Sequence, residues 1–203
     1  MTVRSRRQLS SPGTAEGGRQ SLADRTPRRP SLRRRVAVVS LVVLLAFTAL
    51  TIRLFVSPSL PALPDHVDAI IELGGPGDRD PLTMSLAEQH LAPLVIQSTT
   101  ESDVTPNCLP PVPDVTIECF HAVPPTTRGE ARYIGERAAA SHWSSVIIVT
   151  TPDHAWRARL RVERCFPGQV YVATRPLPKW DWFRQIPYQW AATVKAELLQ
   201  RDC

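Results

Sequence analysis

The sequence predicts an α/β protein, a Rossmann-like parallel sheet with helices on both faces, preceded by one transmembrane helix. Short apolar runs alternate with stretches of helical periodicity along residues 67–203, an order typical of parallel sheets covered by helices. The first run, at residues 67–75, is typical of a parallel strand that is buried on both faces. One longer apolar run near the N-terminus is the predicted span. The 203 residues are enough for one domain with a hydrophobic core.

The predicted span covers residues 36–56. Residues 36–52 contain no charge, and the apolar run continues past Arg53, whose long side chain can reach the membrane interface. A cleaved signal peptide is the alternative. Its apolar region is usually shorter and ends in a small-x-small site, whereas this run is followed by the proline-rich sequence SPSLPALP.

Residues 1–35 carry ten arginines against two acidic residues, a net charge of +8. Since the whole chain carries +5, the remaining residues carry −3. The tail is rich in Arg, Ser, Gly and Pro and is predicted to be disordered; a contact with nucleic acid or anionic lipid is the alternative to a plain topology signal. The arginines before the span predict a single-pass protein of the cell membrane, with its N-terminus in the cytoplasm and its C-terminal domain outside. Because the folded part is mildly acidic, no nucleic-acid partner is expected.

The outer domain is predicted at 67–203, after a proline-rich linker at 57–66. The predicted strands are an apolar run at 67–75 that ends in two glycines, then 93–98, 115–120, 145–150 and 169–174. The predicted helices are 81–92, about 127–142, 152–165 and 188–201. The proline-containing segment before the last helix is predicted to be irregular.

Polar residues cluster where the predicted strands end, and ligands of parallel α/β sheets bind at that edge. Hydroxyls, an imidazole, a guanidinium and free helix N-termini together favour an anionic group such as phosphate or carboxylate. The predicted ligand-binding residues are Gly74, Gly75, Ser98, Thr127, Glu130, Thr150, Thr151, His154 and Arg157. Of these, His154 and Glu130 are candidates for acid–base catalysis. Glu130 would favour a charged imidazole and Arg157 would oppose it, which leaves the protonation state of His154 open.

Each of these residues also has a purely structural interpretation. Thr151 or Asp153 can cap the helix that begins near Pro152. The arginines at 157, 159 and 161 can form a solvated helix face, and Glu130 can pair with a neighbouring arginine, Arg128 or Arg132. The sequence LGGPGD lacks the spacing of a dinucleotide fingerprint, and neither a P-loop nor a G-x-S-x-G motif is present, so the cofactor is left open.

Four cysteines follow the span: Cys108, Cys119, Cys165 and Cys203. They form no CxxC or Cys/His cluster, so no metal site is predicted. In an oxidising compartment an even count predicts two disulfides, with three pairings possible. We prefer Cys108–Cys119, which would close a proline-rich loop, and Cys165–Cys203, which would tie the C-terminus to a helix end. Four buried free thiols are the alternative.

The segments DAIIELGG, LAPLVIQS, PTTRGEA and VIIVTTPDHAWRARL resemble the YdcF/SanA/ElyC family of bacterial proteins, over about residues 68–174. The matching positions are Gly74, Gly75, Thr127, Glu130, Ala131, Thr150, His154, Arg157 and Ala158. Two positions depart from the family pattern. Thr99 and Thr100 replace the glycines expected after Ser98, and Gly129 stands where an acidic residue is common.

The resemblance implies a Rossmann-like fold and a role in cell-envelope integrity, through peptidoglycan or lipid-carrier metabolism. A soluble member of the family is associated with S-adenosylmethionine. We therefore expect a membrane-anchored, extracytoplasmic protein that binds or processes a small anionic envelope metabolite, with its enzymatic status open. A non-catalytic envelope interaction protein, favoured by the aromatic sequence KWDWFRQIPYQW at 179–190, and an S-adenosylmethionine or nucleotide-binding module are the alternatives.

Overall fold

The computed structural model describes residues 31–99 and 108–203. Five strands form one all-parallel sheet in the order β3-β2-β1-β4-β5, which confirms the predicted fold class. The strands are β1 Ala69–Glu72, β2 Leu94–Thr99, β3 Thr116–His121, β4 Ser145–Thr150 and β5 Gln169–Thr174. The helices are α1 Leu32–Thr51, α2 Asp80–Glu88, α3 Thr127–Ser141, α4 Pro152–Cys165 and α5 Trp182–Leu198. Most of the predicted tail, and Thr100 with the loop residues that follow it, lie outside the described residues.

The central strands β1 and β4 are buried on both faces, which explains why they are mainly apolar, whereas the edge strand β3 is exposed at both ends. On one face, Ile71 and Ile148 pack with Ala158 of α4 and with side chains of α3. On the other face, Ile70 and Ile147 pack with the apolar side of α2. Because neighbouring strand residues point to opposite faces, each apolar pair contributes to both layers.

The chain order creates a crevice at the carboxyl edge of the sheet. From β1 the chain crosses through α2 to β2, and from adjacent β4 it crosses through α4 to β5. The two connections therefore leave neighbouring strands in opposite directions and over opposite faces. Ligands of open α/β sheets bind at such a reversal of strand order.

The N-terminal apolar helix begins at Leu32, earlier than predicted, and continues beyond α1 as a π-helical turn at Ile52–Val56. The combined segment Leu32–Val56 has 25 residues and contains an 18-residue window with a mean hydropathy of 2.4, the length and composition of a membrane anchor or a signal sequence. The chain divides into two compact units at Ser40, and the second unit contains the rest of this helix and the whole α/β domain.

Three predicted helix boundaries are wrong, among them the end of the last helix, which lies at Leu198 and not at residue 201. The helix predicted at 81–92 ends at Glu88, because His90 adopts a left-handed backbone with φ of 54°. The last helix begins at Trp182, not at residue 188, and Pro187 lies inside it. Proline removes one intrahelical hydrogen bond, but tertiary contacts of the residues that follow it override its low helix propensity.

The disulfides are Cys108–Cys119 and Cys165–Cys203, the pairing preferred from the sequence. The second bond holds the C-terminal residues against α3. There, Arg132 Nε donates a hydrogen bond to the Cys203 carbonyl at 3.0 Å, and Arg128 forms an ion pair with Asp202.

Candidate functional site

A cleft of about 650 Å³ lies at the carboxyl edge of the sheet, where the strand order reverses. Its walls are the β1–α2 loop, the end of β2, the first turns of α3 and α4, and one side of α5. Eight of the nine predicted ligand-binding residues line it: Gly74, Gly75, Ser98, Thr127, Glu130, Thr151, His154 and Arg157. The ninth, Thr150, is fully buried behind His154 and contacts its ring.

The β1–α2 loop is organised around Arg79, which the sequence analysis did not identify. The buried guanidinium donates hydrogen bonds to the carbonyl oxygens of Leu73 and Gly75, both at 2.9 Å, and of Pro76 at 3.0 Å. Gly75 has a φ of 120°, a conformation that L side chains rarely adopt. Burial lowers the pKa of Arg79, and the Glu72 carboxylate opposes that shift. The loop therefore presents its backbone to the cleft in one fixed arrangement.

Glu130 closes the inner end of the cleft. Its Oε1 atom accepts a hydrogen bond from the Gly74 backbone N–H at 2.6 Å, and the Ser98 hydroxyl is a second partner. Burial raises the pKa of Glu130, while these hydrogen bonds and the nearby arginines act in the opposite direction. The alternative in which Glu130 pairs with Arg128 or Arg132 is wrong. Glu130 instead links the start of α3 to the glycine turn after β1.

The His154 ring lies between two threonine hydroxyls. Nδ1 is 2.9 Å from the Thr150 hydroxyl, and Nε2 is 3.2 Å from the Thr127 hydroxyl. Burial lowers the pKa of His154 well below 6.5, and the charges of Arg157 and Arg79 lower it further. The protonation state left open by the sequence is therefore neutral, because burial and two arginines outweigh any carboxylate.

Arg157 is held from both sides of the cleft. Its Nε atom donates to Gln189 Oε1 at 3.0 Å, one terminal nitrogen donates to the Thr127 hydroxyl at 3.1 Å, and the guanidinium lies 5.8 Å from the centre of the Tyr188 ring. The second terminal nitrogen has no hydrogen-bond partner among the described residues. Arg157 is only 8% exposed, so the interpretation of this helix side as a solvated face is wrong at this position. Arg161 of the same helix is also buried.

Asp153 leaves one carboxylate oxygen without a partner. Its Oδ2 atom accepts a hydrogen bond from Gln189 Nε2 at 2.9 Å, while Oδ1 has none within the part of the chain that the structure describes. The expected side-chain cap of α4 is wrong, because Thr151 occupies the cap position without a side-chain hydrogen bond. Such a cap is present on α3, where the Thr126 hydroxyl accepts from the Gly129 N–H at 3.2 Å.

The two departures from the family pattern have structural consequences. A Cβ atom on Gly129 would overlap the carbonyl of Pro124, so this position accepts glycine and excludes an acidic side chain. Thr99 continues β2, and its hydroxyl contacts the Phe120 carbonyl at 3.2 Å and the ring of His121. The rim of the cleft is therefore built from extended strand at Thr99, where the family pattern has a glycine turn.

Positive charge dominates the lining. Two of the lining side chains are carboxylates, Glu130 and Asp153, and six are cationic: Arg79, Arg128, Arg157, Arg161, Arg184 and Lys195. No group of three or more His, Cys, Asp or Glu side chains within residues 31–99 and 108–203 is placed to hold a metal ion. The lining thus favours a negatively charged group.

Three comparisons with known proteins bear on the family expectation. No protein-family model, no curated protein and no solved structure matches this chain. The resemblance to the YdcF/SanA/ElyC family therefore stays a hypothesis.

Sequence reasoning missed the residues that position the predicted ones. Arg79 lies between two aspartates at a helix start, a pattern typical of exposed ion pairs, and nothing in it indicates burial. Gln189 and Tyr188 lie in the aromatic sequence at 179–190, which the sequence analysis interprets as favouring a non-catalytic interaction protein. The sequence signal that could have identified Gln189 is its position, because it is an uncharged polar residue between two aromatic residues on a helix.

Proposed function

We propose that this is a membrane-anchored extracytoplasmic protein whose α/β domain binds a small ligand carrying a phosphate or carboxylate group. The observation that carries the proposal is the fixation of Arg157 inside the cleft by Gln189 and Thr127, with one terminal nitrogen left without a partner among the described residues. A guanidinium already held in place loses little conformational freedom on binding an anion.

The surroundings of Arg157 strengthen that preference. The N-termini of α3 and α4 both open into the cleft, and their free N–H groups favour negative charge. Arg184 and Lys195 of α5 add positive charge at the opposite wall.

The anchor and the orientation belong to the same proposal. The apolar helix would remain in the membrane, the arginine-rich tail would stay in the cytoplasm, and the disulfide-bonded domain would face the oxidising side. In keeping with the family resemblance, we propose a role in the bacterial cell envelope, in peptidoglycan or lipid-carrier metabolism.

Processing of the ligand is a second candidate function, favoured by the contact between His154 and Thr127. Arg157 can only donate to the Thr127 oxygen, which leaves the Thr127 proton free to point at His154 Nε2, 3.2 Å away. A neutral imidazole in that position can accept this proton when Thr127 reacts or relays it from a bound molecule. Glu130 would act by holding the glycine turn.

Calorimetric titration of the full chain in detergent with inorganic pyrophosphate tests the anion site. Arg157→Ala should weaken binding by about 1.5–3 kcal/mol, the range for a hydrogen bond to a charged group. Arg159→Ala is the matched control, because this arginine lies on the same helix and pairs with Glu163 outside the cleft. Unchanged affinity in a folded Arg157→Ala variant would refute the site. If S-adenosylmethionine binds tightly and its affinity is unchanged by Arg157→Ala, the nucleotide-binding alternative would be favoured.

A further inference from the structure

Helix α5 separates the cleft from an exposed apolar surface. The residues of that surface recur at helical spacing along one side of the helix. We call this side the apolar stripe of α5; it consists of Phe183, Pro187, Trp190, Val194 and Leu198. Phe183 is 82% exposed and Leu198 is 68% exposed. A stripe of this kind on one side of a helix normally packs against something.

The centre of the stripe contacts the N-terminal apolar helix. The Trp190 ring stacks on Phe47 with the ring centres 5.0 Å apart, and it meets the edge of Phe55 at 5.2 Å. Its indole Nε1 donates a hydrogen bond to the Thr51 hydroxyl at 3.2 Å. The stripe is therefore continuous with the segment proposed as the membrane anchor.

The arginines at the two ends of the anchor determine how deep in the membrane the Trp190 contact lies. Arg35 and Arg53 enclose seventeen uncharged residues, fewer than the roughly 20 needed to cross the hydrocarbon layer. Any membrane placement of the helix must then include Phe47, which lies one turn, about 6 Å, before Thr51. Because Trp190 touches both residues, it lies at the level of the bilayer.

We propose that α5 lies in the plane of the outer membrane interface, with its apolar stripe covered by lipid. The exposed Trp180 precedes the helix as an interfacial aromatic residue. An apolar depression lined by Val56, Phe183 and neighbouring α5 residues joins the end of the anchor to the start of the stripe. The proposal rests on the membrane anchor proposed above and is independent of what the cleft binds.

A second copy of the chain is the competing occupant of the stripe. Such a copy would have to reach a surface that adjoins the anchor at the level of the bilayer. Continuity with the anchor therefore favours lipid over protein.

Site-directed fluorescence in vesicles can decide between these occupants. The four native cysteines are all disulfide-bonded, so one introduced cysteine supplies the sole free thiol of the described residues. Phe183→Cys and Val194→Cys place an environment-sensitive dye on the stripe. Glu88→Cys is the control, because it is exposed on α2 at the opposite face of the sheet. The full chain is reconstituted in vesicles of phosphatidylethanolamine and phosphatidylglycerol and recovered by flotation.

We expect nitroxide-bearing lipids to quench the dyes at 183 and 194 several-fold more than the dye at 88, and aqueous iodide to show the reverse order. Iodide quenching at 183 and 194 equal to that at 88 would overturn the proposal. Protection from both quenchers would also overturn it, since protein would then cover the stripe. A chain that does not float with the vesicles would refute the anchor as well, while the pyrophosphate titration remains a separate result.

Discussion

Arg157 and Gln189 join α4 to α5 across the cleft through a 3.0 Å hydrogen bond between Nε and Oε1. The same glutamine amide donates to Asp153, and so it keeps the guanidinium and the carboxylate apart. The orientation of Arg157 therefore depends on a residue of another helix that carries no charge.

Replacing Gln189 by alanine should weaken anion binding by about tenfold, or about 1.4 kcal/mol. Without the amide, Arg157 can turn towards Asp153 and is then less available to the ligand. Titration with pyrophosphate measures the change. Gln185→Ala is the control, since this residue lines the cleft one turn earlier and takes no part in these hydrogen bonds. Equal losses in both variants would contradict a specific role for Gln189.

His154 should make the domain less stable in mildly acidic solution. Its pKa in the folded state lies well below 6.5, whereas an unfolded histidine titrates near 6.5. The unfolded state therefore binds more protons as the pH falls from 6.5, and stability is lost in that direction. Urea unfolding of the wild type and of His154→Gln at pH 5–8 measures this effect. The stability difference between them should shrink as the pH falls, and a constant difference would contradict a neutral buried ring.

Glu72 should have the opposite pH dependence. Burial raises its pKa to about 7, even though Gln97 Nε2 donates a hydrogen bond to its Oε1 at 3.0 Å. Between pH 4.5 and 7 the unfolded state ionises while the folded carboxyl keeps its proton, so stability is lost as the pH rises. The loss is up to about 3 kcal/mol. Urea unfolding of Glu72→Gln should show a gain over the wild type that is larger at pH 8 than at pH 5. A gain that does not vary with pH would contradict the raised pKa.

Gly75→Ala should reduce the free energy of unfolding by about 1–2 kcal/mol, because the φ of 120° at this position strains an L side chain. Gly74→Ala is the comparison variant, because it tests crowding without backbone strain. Its Cβ would lie 3.3 Å from Glu130 Oε1, and the backbone at this position does not have a positive φ. Chemical denaturation of both variants measures the two effects. If Gly75→Ala is as stable as the wild type, the turn can adopt another backbone conformation.

The central strands were predictable because burial on both faces leaves them mainly apolar, as at Ile70 and Ile71. Most of the site was also predictable, since parallel strands bring their carboxyl ends to one edge whatever their order in the sheet. The start of α5 was not predictable. Pro187 is a local signal against a helix, and contacts between residues distant in the sequence override that signal. Arg79 and Gln189 were not predicted as site residues for a similar reason. Their roles depend on a loop closing around a guanidinium and on two helices meeting, and neither event leaves a periodic pattern.

The hydrogen bond from Gly74 N–H to Glu130 joins residues 56 positions apart. During synthesis the glycine turn leaves the ribosome well before its partner exists. Chain elongation must therefore bring both halves of the sheet together before the cleft is complete. A truncated chain that ends before α3 would keep the first three strands and lack the cleft walls formed by α3, α4 and α5. For a protein made one residue at a time, a complete cleft reports that the whole sheet has been assembled.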